Sequence, residues 1–194
     1  MWHSDKKFVF IHPQKCAGTA LRTILRDEYS DGRCSDLYEP KGCGHWKAFQ
    51  WKKYFDEHGV SFDDLFKFGV VRNPWDRAVS YYFHLQKHKN YKKPFWRFIM
   101  NDIHLQSPSF NIYNKFTLNG EYIMDFVARQ EHLYDDILEL TKRLGIDSFD
   151  LKLFDHNTSR NNKTYQEMFE DNQEWIDQVA ALSQLEITKF NYKF

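Results

Sequence analysis

The chain has 194 residues, which is enough for one domain with a substantial core and too few for two comfortable ones. Aromatic residues make up 18% of it, which favours a folded chain over a disordered one. Its 27 Lys and Arg residues balance 27 Asp and Glu residues, so the net charge identifies no class of partner, although residues 41–97 carry twelve basic and five acidic residues. Such a bias indicates either a solvated charged face or a surface for an anionic ligand.

Cysteine spacing and hydropathy narrow the class of protein. The three cysteines lack CxxC spacing, which predicts reduced thiols in a cytoplasmic protein and neither a disulfide framework nor a zinc site. No apolar run approaches the roughly 18 residues that a membrane span requires, and Met1–Asp5 leads into an apolar segment without the pattern of a signal peptide. Because no linker or repeat interrupts the chain, we predict a single domain over residues 1–194 with no membrane contact.

Short apolar runs alternate with amphipathic segments in the first half of the chain. Lys7–His12 predicts a buried strand, and an amphipathic helix is expected over residues 19–29. Trp46–His58 predicts a second helix, ended by Gly59. Leu65–Val71 then predicts a second buried strand.

The alternation continues after the second strand. Asn73 as a cap and Pro74 at the first helical position form the signature of a helix start. Tyr122–Val127 predicts a third strand, an amphipathic pattern predicts a helix over Leu133–Leu144, and a last helix is expected near residues 175–182.

This order of elements predicts an α/β fold, with a parallel β-sheet flanked by helices on both faces. In such a sheet, ligands bind beyond the carboxyl ends of the strands, at the start of the following helices. Two connections qualify, residues 13–19 and residues 72–76, and both carry side chains suited to anions.

The segment His12–Thr19 leaves the first strand and opens the first helix. Backbone N–H groups at a helix start, together with the helix dipole, favour an anion there. Lys15 adds a positive charge, and the small residues Ala17 and Gly18 let an oxyanion approach the backbone. The order is not that of a Walker A loop, and no acidic residue directly follows the second strand to hold Mg²⁺, which disfavours a metal-dependent NTPase. If this segment is considered by itself, the alternative interpretation is an ordinary strand–turn–helix connection without a ligand.

Arg72 stands at the end of the second strand, and Ser80 lies near the end of the second helical turn if Asn73 is the cap. The planar fork of Arg72 and the hydroxyl of Ser80 can both reach one phosphate group. The alternative is a surface arginine and a solvated serine.

Two stretches taken together, FIHPQKCAGTAL at residues 10–21 and FGVVRNPWDRAVSYY at residues 68–82, resemble the sulfotransferases that use 3′-phosphoadenosine 5′-phosphosulfate (PAPS). The likeness is strongest to the carbohydrate branch, which includes heparan sulfate 2-O- and chondroitin sulfotransferases and bacterial relatives. It extends to VARQEHL at residues 127–133 and to the ending EITKFNYKF. The sequence departs from the family pattern at Gln14, where Pro is usual, and at Glu186, where Asp is common.

The resemblance implies a P-loop-type sulfotransferase fold and sulfuryl transfer from PAPS as co-substrate, without a metal. The residues that it assigns to the 5′-phosphosulfate are Lys15, Cys16, Ala17, Gly18, Thr19 and Ala20. Those that it assigns to the 3′-phosphate are Arg72 and Ser80, and those that it places near the donor are Asn157, Ser159 and Arg160.

By the same resemblance, His45 is the general base and Lys15 the second catalytic group. An acceptor hydroxyl must lose its proton as it attacks sulfur, and a histidine with a pKa of roughly 6.5 can take that proton near neutral pH. Gly42 and Gly44 beside His45 allow a substrate to approach closely. Without the family, a histidine before a helix is more often a cap or a packing residue.

Two rival functions remain open at this point. One is an Mg-ATP-dependent phosphotransferase on a P-loop-type fold, and the other is a non-catalytic module that binds adenosine 3′,5′-bisphosphate or anionic glycans. The acceptor is expected to be a carbohydrate or another hydroxyl-bearing small molecule. The basic run at residues 84–93 is better explained as a solvated helix end than as a nucleic-acid site, so no nucleic-acid partner is expected. The sequence leaves the oligomeric state open.

Overall fold

A computed structural model describes residues 1–29, 37–103, 111–146 and 163–194. These residues divide into two compact units. The unit that contains the β-sheet, here the sheet unit, comprises Met1–Val71 and Tyr113–Asp155, and the helical unit comprises Arg72–Ile112 and His156–Phe194. The single domain over residues 1–194 stays a prediction.

The described residues form both strands and helices, but the two types do not alternate strictly along the chain. The strands are β1 (Trp2–His3), β2 (Phe8–Ile11), β3 (Leu37–Tyr38), β4 (Phe66–Val71), β5 (Thr117–Leu118), β6 (Glu121–Tyr122) and β7 (Phe126–Arg129). The helices are α1 (Gly18–Tyr29), α2 (Ala48–Glu57), α3 (Pro74–Lys89), α4 (Phe95–Arg97), α5 (Leu133–Leu144), α6 (Tyr165–Phe169), α7 (Gln173–Leu182) and α8 (Gln184–Phe190). None of these helices is both long and apolar enough to cross a membrane.

The sheet has the strand order β3-β1-β2-β4-β7, and its centre is parallel. β4 pairs in parallel with β2, where Phe68 lies opposite Phe10, and with β7, where Phe68 lies opposite Phe126. The predicted parallel sheet is therefore confirmed for these three strands. The two-residue strand β1 runs antiparallel to both β2 and β3, so the whole sheet is mixed.

The core of the sheet unit forms on the central strands. All four residues of β2 are buried, which agrees with its unbroken apolar sequence because a central parallel strand is covered on both faces. Phe10 stacks on Phe68 of β4 at a centroid distance of 5.2 Å. Gly69 of β4 makes room for an aromatic ring, since a Cβ there would lie 2.7 Å from Cζ of Phe116.

The helical unit has its own apolar core around α3. Trp75, Val79 and Tyr82 of α3 belong to this core, together with Phe98 from the π-helical turn after α4 and Val179 of α7. In the same unit, Arg77 and Glu186 form an ion pair at 3.1 Å, with side chains 1% and 2% exposed.

Glu186 also accepts a hydrogen bond from the backbone N–H of Ile112. The glutamate that departs from the family pattern is thus a buried partner of Arg77, at the start of a helix, α8, that periodicity did not predict.

The predicted third strand, Tyr122–Val127, is wrong in position. The strand that joins the sheet is Phe126–Arg129, whereas Glu121–Tyr122 pairs with Thr117–Leu118 in a separate hairpin. The cause is the Asn119-Gly120 turn, since both of its residues have positive φ, 53° and 85°, as a tight two-residue hairpin requires.

Candidate active site

The connection between β2 and α1 has an unusual backbone. Lys15 and Ala17 adopt left-handed conformations, with φ of 62° and 54°, and Cys16 between them does not. Such conformations are uncommon for residues with a side chain and cluster at functional sites. Alternation of this kind turns successive backbone N–H groups toward one concavity, which is a recurrent way to bind an anion.

The first residue of α1, Gly18, lies directly against the ring of His12. A Cβ at Gly18 would lie 1.8 Å from Nε2 of His12, so the imidazole occupies the space that a side chain would need. The His12 ring is 8% exposed and stacks on Phe10 with an interplanar angle of 13°. The start of α1 is therefore packed against the His12 ring, which in turn stacks on Phe10 of β2.

The loop residues differ in exposure. Cys16 is buried, and its thiol donates to the carbonyl oxygen of Gln14 at 3.4 Å. Lys15, Ala17 and Ala20 are half-buried, and Thr19 is exposed in the first turn of α1. The strand–loop–helix arrangement expected for this segment is the one that the structure shows.

His45 lies beside this loop. It ends the short 3-10 turn Cys43–His45, and its Nδ1 is 3.3 Å from the backbone oxygen of His12, while the two imidazole rings are 4.8 Å apart. A carbonyl oxygen only accepts hydrogen bonds, so Nδ1 carries the proton and Nε2 keeps its lone pair. The tertiary structure thus brings together the predicted base and the first loop.

A lysine that the sequence analysis did not identify also contacts His45. Nζ of Lys115 donates to the backbone oxygen of His45 at 2.8 Å, and Lys115 is only 4% exposed. Within the sequence, the position of this lysine between the apolar residues Ile112 and Phe116 is a weak signal of burial.

The pKa values of both histidines are lowered. Partial removal of the His45 ring from water lowers its pKa, the His12 carbonyl opposes this, and the charges of Lys115 and Arg22 lower it further. Burial lowers the pKa of His12 to about 3, with contributions from His45, Arg22 and Lys115. His12 is therefore neutral at physiological pH, and His45 is biased toward its neutral form.

In the helical unit, Arg72 and Ser80 are both buried, each 4% exposed. This excludes the alternative of a surface arginine and a solvated serine. Nε of Arg72 donates to Oδ2 of Asp76 at 2.6 Å, which orients the guanidinium.

The cap of α3 was predicted and is confirmed. Oδ1 of Asn73 accepts from the backbone N–H groups of Trp75 and Asp76 at 3.0 and 3.3 Å. Its Nδ2 donates to the backbone oxygen of Lys193 at 2.9 Å. Asn73 therefore fixes the first turn of the helix directly after Arg72.

Three predicted donor residues, Asn157, Ser159 and Arg160, lie outside the described residues. The sequence assigned no role to the side chains of His12 and Lys115 in the sheet unit or to that of Asp76 in the helical unit.

The comparisons with known proteins agree with the architecture, which is that of an α/β protein with a P-loop-type connection at the end of a central strand. A family model described as the sulfotransferase family matches residues 1–193, so the chain belongs to the sulfotransferase family. A relative from Archaeoglobus fulgidus, described as an uncharacterized protein, is 30% identical over 86 residues, which cover 44% of this chain and 72% of the relative. No solved structure matches the chain significantly.

Proposed function

We propose that this member of the sulfotransferase family transfers the sulfuryl group of PAPS to an acceptor hydroxyl, with His45 as general base. The observation that carries the proposal is the contact of His45 with the anion-type loop, by which we mean the connection His12–Thr19 between β2 and α1. Because Nδ1 donates to the His12 carbonyl at the mouth of that loop, Nε2 is left as an acceptor beside it. A base must be within hydrogen-bond reach of the proton that it takes.

The loop residues supply the electrostatics of the step. The acceptor oxygen forms a bond to sulfur as the bond from sulfur to the bridging phosphate oxygen breaks, and the acceptor proton passes to Nε2 of His45. The electron pair of the broken bond stays on the phosphate of adenosine 3′,5′-bisphosphate. The ammonium of Lys15 and the loop amides stabilise the charge that develops there.

Arg72 and Ser80 are proposed to hold the 3′-phosphate, which distinguishes PAPS from ATP. Nε of Arg72 donates to the Asp76 carboxylate, which orients the guanidinium, and the planar fork of an arginine matches the geometry of a phosphate group. The N-terminal turn of α3 adds its dipole to this arrangement.

The proposed acceptor is a carbohydrate hydroxyl. A groove of about 460 Å³ runs along α2, the helix that begins three residues after His45. Phe49 in this groove is 53% exposed and offers a ring on which the C–H face of a sugar can lie. The ion pairs Lys52–Asp56 and Lys53–Glu57 offer both donors and acceptors to its hydroxyl groups.

The test is transfer of labelled sulfate from PAPS across neutral and anionic saccharides and other hydroxyl-bearing acceptors. We expect His45→Gln and Lys15→Met each to lower kcat by roughly 10²-fold or more. His58→Gln is a matched control, since Nδ1 of His58 also bonds a backbone oxygen, that of Tyr54 at 2.7 Å. Lys7→Met controls for Lys15, because Lys7 is exposed and also has a positive φ, 48°.

Binding of the donor is tested separately by thermal unfolding. Adenosine 3′,5′-bisphosphate at about 100 times its Kd should stabilise the protein by roughly 2.7 kcal/mol. His45→Gln should keep this effect, and Arg72→Gln should lose most of it. Stabilisation by ATP and Mg²⁺ alone, or full transfer in the His45 and Lys15 variants, would contradict the proposal.

A further inference from the structure

Lys115 is a buried cation beside the proposed base. It ends the 3-10 turn Tyr113–Lys115, and its side chain is only 4% exposed. Burying an ammonium group is costly unless hydrogen bonds compensate it. One such bond goes to the backbone oxygen of His45, 70 residues earlier in the chain, at 2.8 Å.

The backbone that carries Lys115 is itself fixed on the sheet. Phe116 is fully buried, and its ring fills the space above Gly69 of β4. The N–H of Phe116 bonds the oxygen of Tyr113, and the N–H of Ile123 bonds the oxygen of Phe116. Lys115 therefore projects from a rigid support, which is what positioning another residue requires.

The turn that carries His45 needs such support. Gly42, which precedes it, has a φ of 82°, and Gly44 lies inside it, so one residue of high backbone freedom borders the turn and a second lies within it. Two contacts hold its end: Lys115 donates to the His45 oxygen, and Nδ1 of His45 donates to the His12 oxygen. The first holds the main chain, and the second holds the ring.

We propose that Lys115 is a positioning residue for the base: it fixes the His45 main chain so that Nε2 is presented at the loop, and its charge favours the neutral imidazole. This inference rests on the proposed function of His45. Within the described part of the chain, the titratable and charged groups that act on His45 are the neutral ring of His12 and the cations Lys115 and Arg22. The two cations act in the same direction, because like charges disfavour the imidazolium form.

The experiment compares Lys115→Met with Lys67→Met. Lys67 is a matched control, since it is 7% exposed, lies in the same unit, and donates to the backbone oxygens of Leu65 and Asp63 without contacting His45. NMR titration of the His45 ring, assigned with His45→Gln, reports the pKa directly. Steady-state kinetics over a range of pH report kcat and the KM for PAPS.

In Lys115→Met, we expect the pKa of His45 to rise toward its ordinary value. A base must be neutral to act, so the acid limb of the pH–rate profile should move to higher pH. A misplaced base should also lower kcat by roughly 10- to 100-fold, with the KM for PAPS within about twofold. Lys67→Met should change neither the titration of His45 nor kcat.

Two further variants separate position from charge. Lys115→Arg keeps both the donor and the charge and should restore the titration and most of kcat. Lys115→Gln keeps a donor without the charge, so the pKa of His45 should rise as it does in Lys115→Met, and this variant replaces Lys115→Met if the latter does not fold. A His45 titration that is unchanged in the folded Met or Gln variant overturns the inference, whatever the activity. A shifted titration in a protein that transfers no sulfate in its wild-type form overturns the proposed function instead.

Discussion

At the scale of the residue, the same glycine is required for two different reasons. The sequence indicates that Gly18 is small enough for an anion to approach the loop. The structure adds that the His12 ring lies where a side chain of residue 18 would be. The imidazole is buried and stacked on Phe10, so it cannot easily move aside.

Gly18→Ala should therefore destabilise the protein by about 1–3 kcal/mol, the usual cost of overpacking, and weaken binding of adenosine 3′,5′-bisphosphate. Gly44→Ala is the control, because a Cβ at Gly44 meets no described atom within 4 Å and its φ is not positive. It should change the free energy of unfolding by less than about 0.5 kcal/mol. Urea unfolding and calorimetric titration measure both effects, and equal stability of the two variants would contradict this account.

At the scale of the element, α3 shows how local signals and tertiary contacts combine at one residue. The cap and Pro74 start the helix by purely local chemistry, which is why the sequence predicted its first residue. Asn73 also donates to the backbone oxygen of Lys193, a contact that no local pattern indicates. The third strand was misplaced for the opposite reason, since a local hairpin signal at residues 119–120 competes with pairing to the sheet.

Asn73→Ala should lower the free energy of unfolding by about 2 kcal/mol, since it removes the cap and leaves the Lys193 oxygen without this donor. Asn73→Asp should cost less, because a carboxylate still caps the helix but cannot donate. The matched control is Asn172→Ala, since Asn172 caps α7 by accepting from Trp175 N–H at 3.2 Å. A loss of about 1 kcal/mol is expected there. Chemical denaturation tests the order, and a smaller loss for Asn73→Ala than for Asn172→Ala would refute it.

At the scale of the whole molecule, the free energy of unfolding depends on pH when a group has different pKa values in the folded and the unfolded chain. The pKa of His12 falls from its ordinary value of 6.5 to about 3 on folding, because burial disfavours the charged ring. The unfolded chain therefore binds a proton that the folded chain rejects. The contribution of His12 to stability is complete above pH 6.5 and is lost progressively as the pH falls toward 3.

Between pH 8 and pH 5, this residue alone should cost the wild-type protein on the order of 2 kcal/mol of stability. His12→Phe, which keeps a ring on Phe10, should remove that part of the dependence. His132→Phe, at an exposed histidine, should leave it in place. Unfolding by urea at several pH values measures the slopes, and identical slopes for the wild type and His12→Phe would rule this cause out.

The sequence alone was sufficient for the features that depend on neighbours along the chain. The buried strands β2 and β4, the anion-type connection after β2 and the capped start of α3 all follow from apolar runs, helix-start chemistry and motif order, and the family model agrees with them. The proposed base and the anchors of the donor were named from family motifs, which also run along the chain.

Only the tertiary structure decided how the proposed base is held. His45 meets His12 across 33 residues and Lys115 across 70, and the order of strands in the sheet determines those distances. Neither periodicity nor residue spacing predicts such contacts, because they join residues that are distant in sequence and become neighbours only when the chain folds. Only the folded chain therefore shows why residue 18 must be a glycine, which tautomer His45 adopts and that Lys115 is buried.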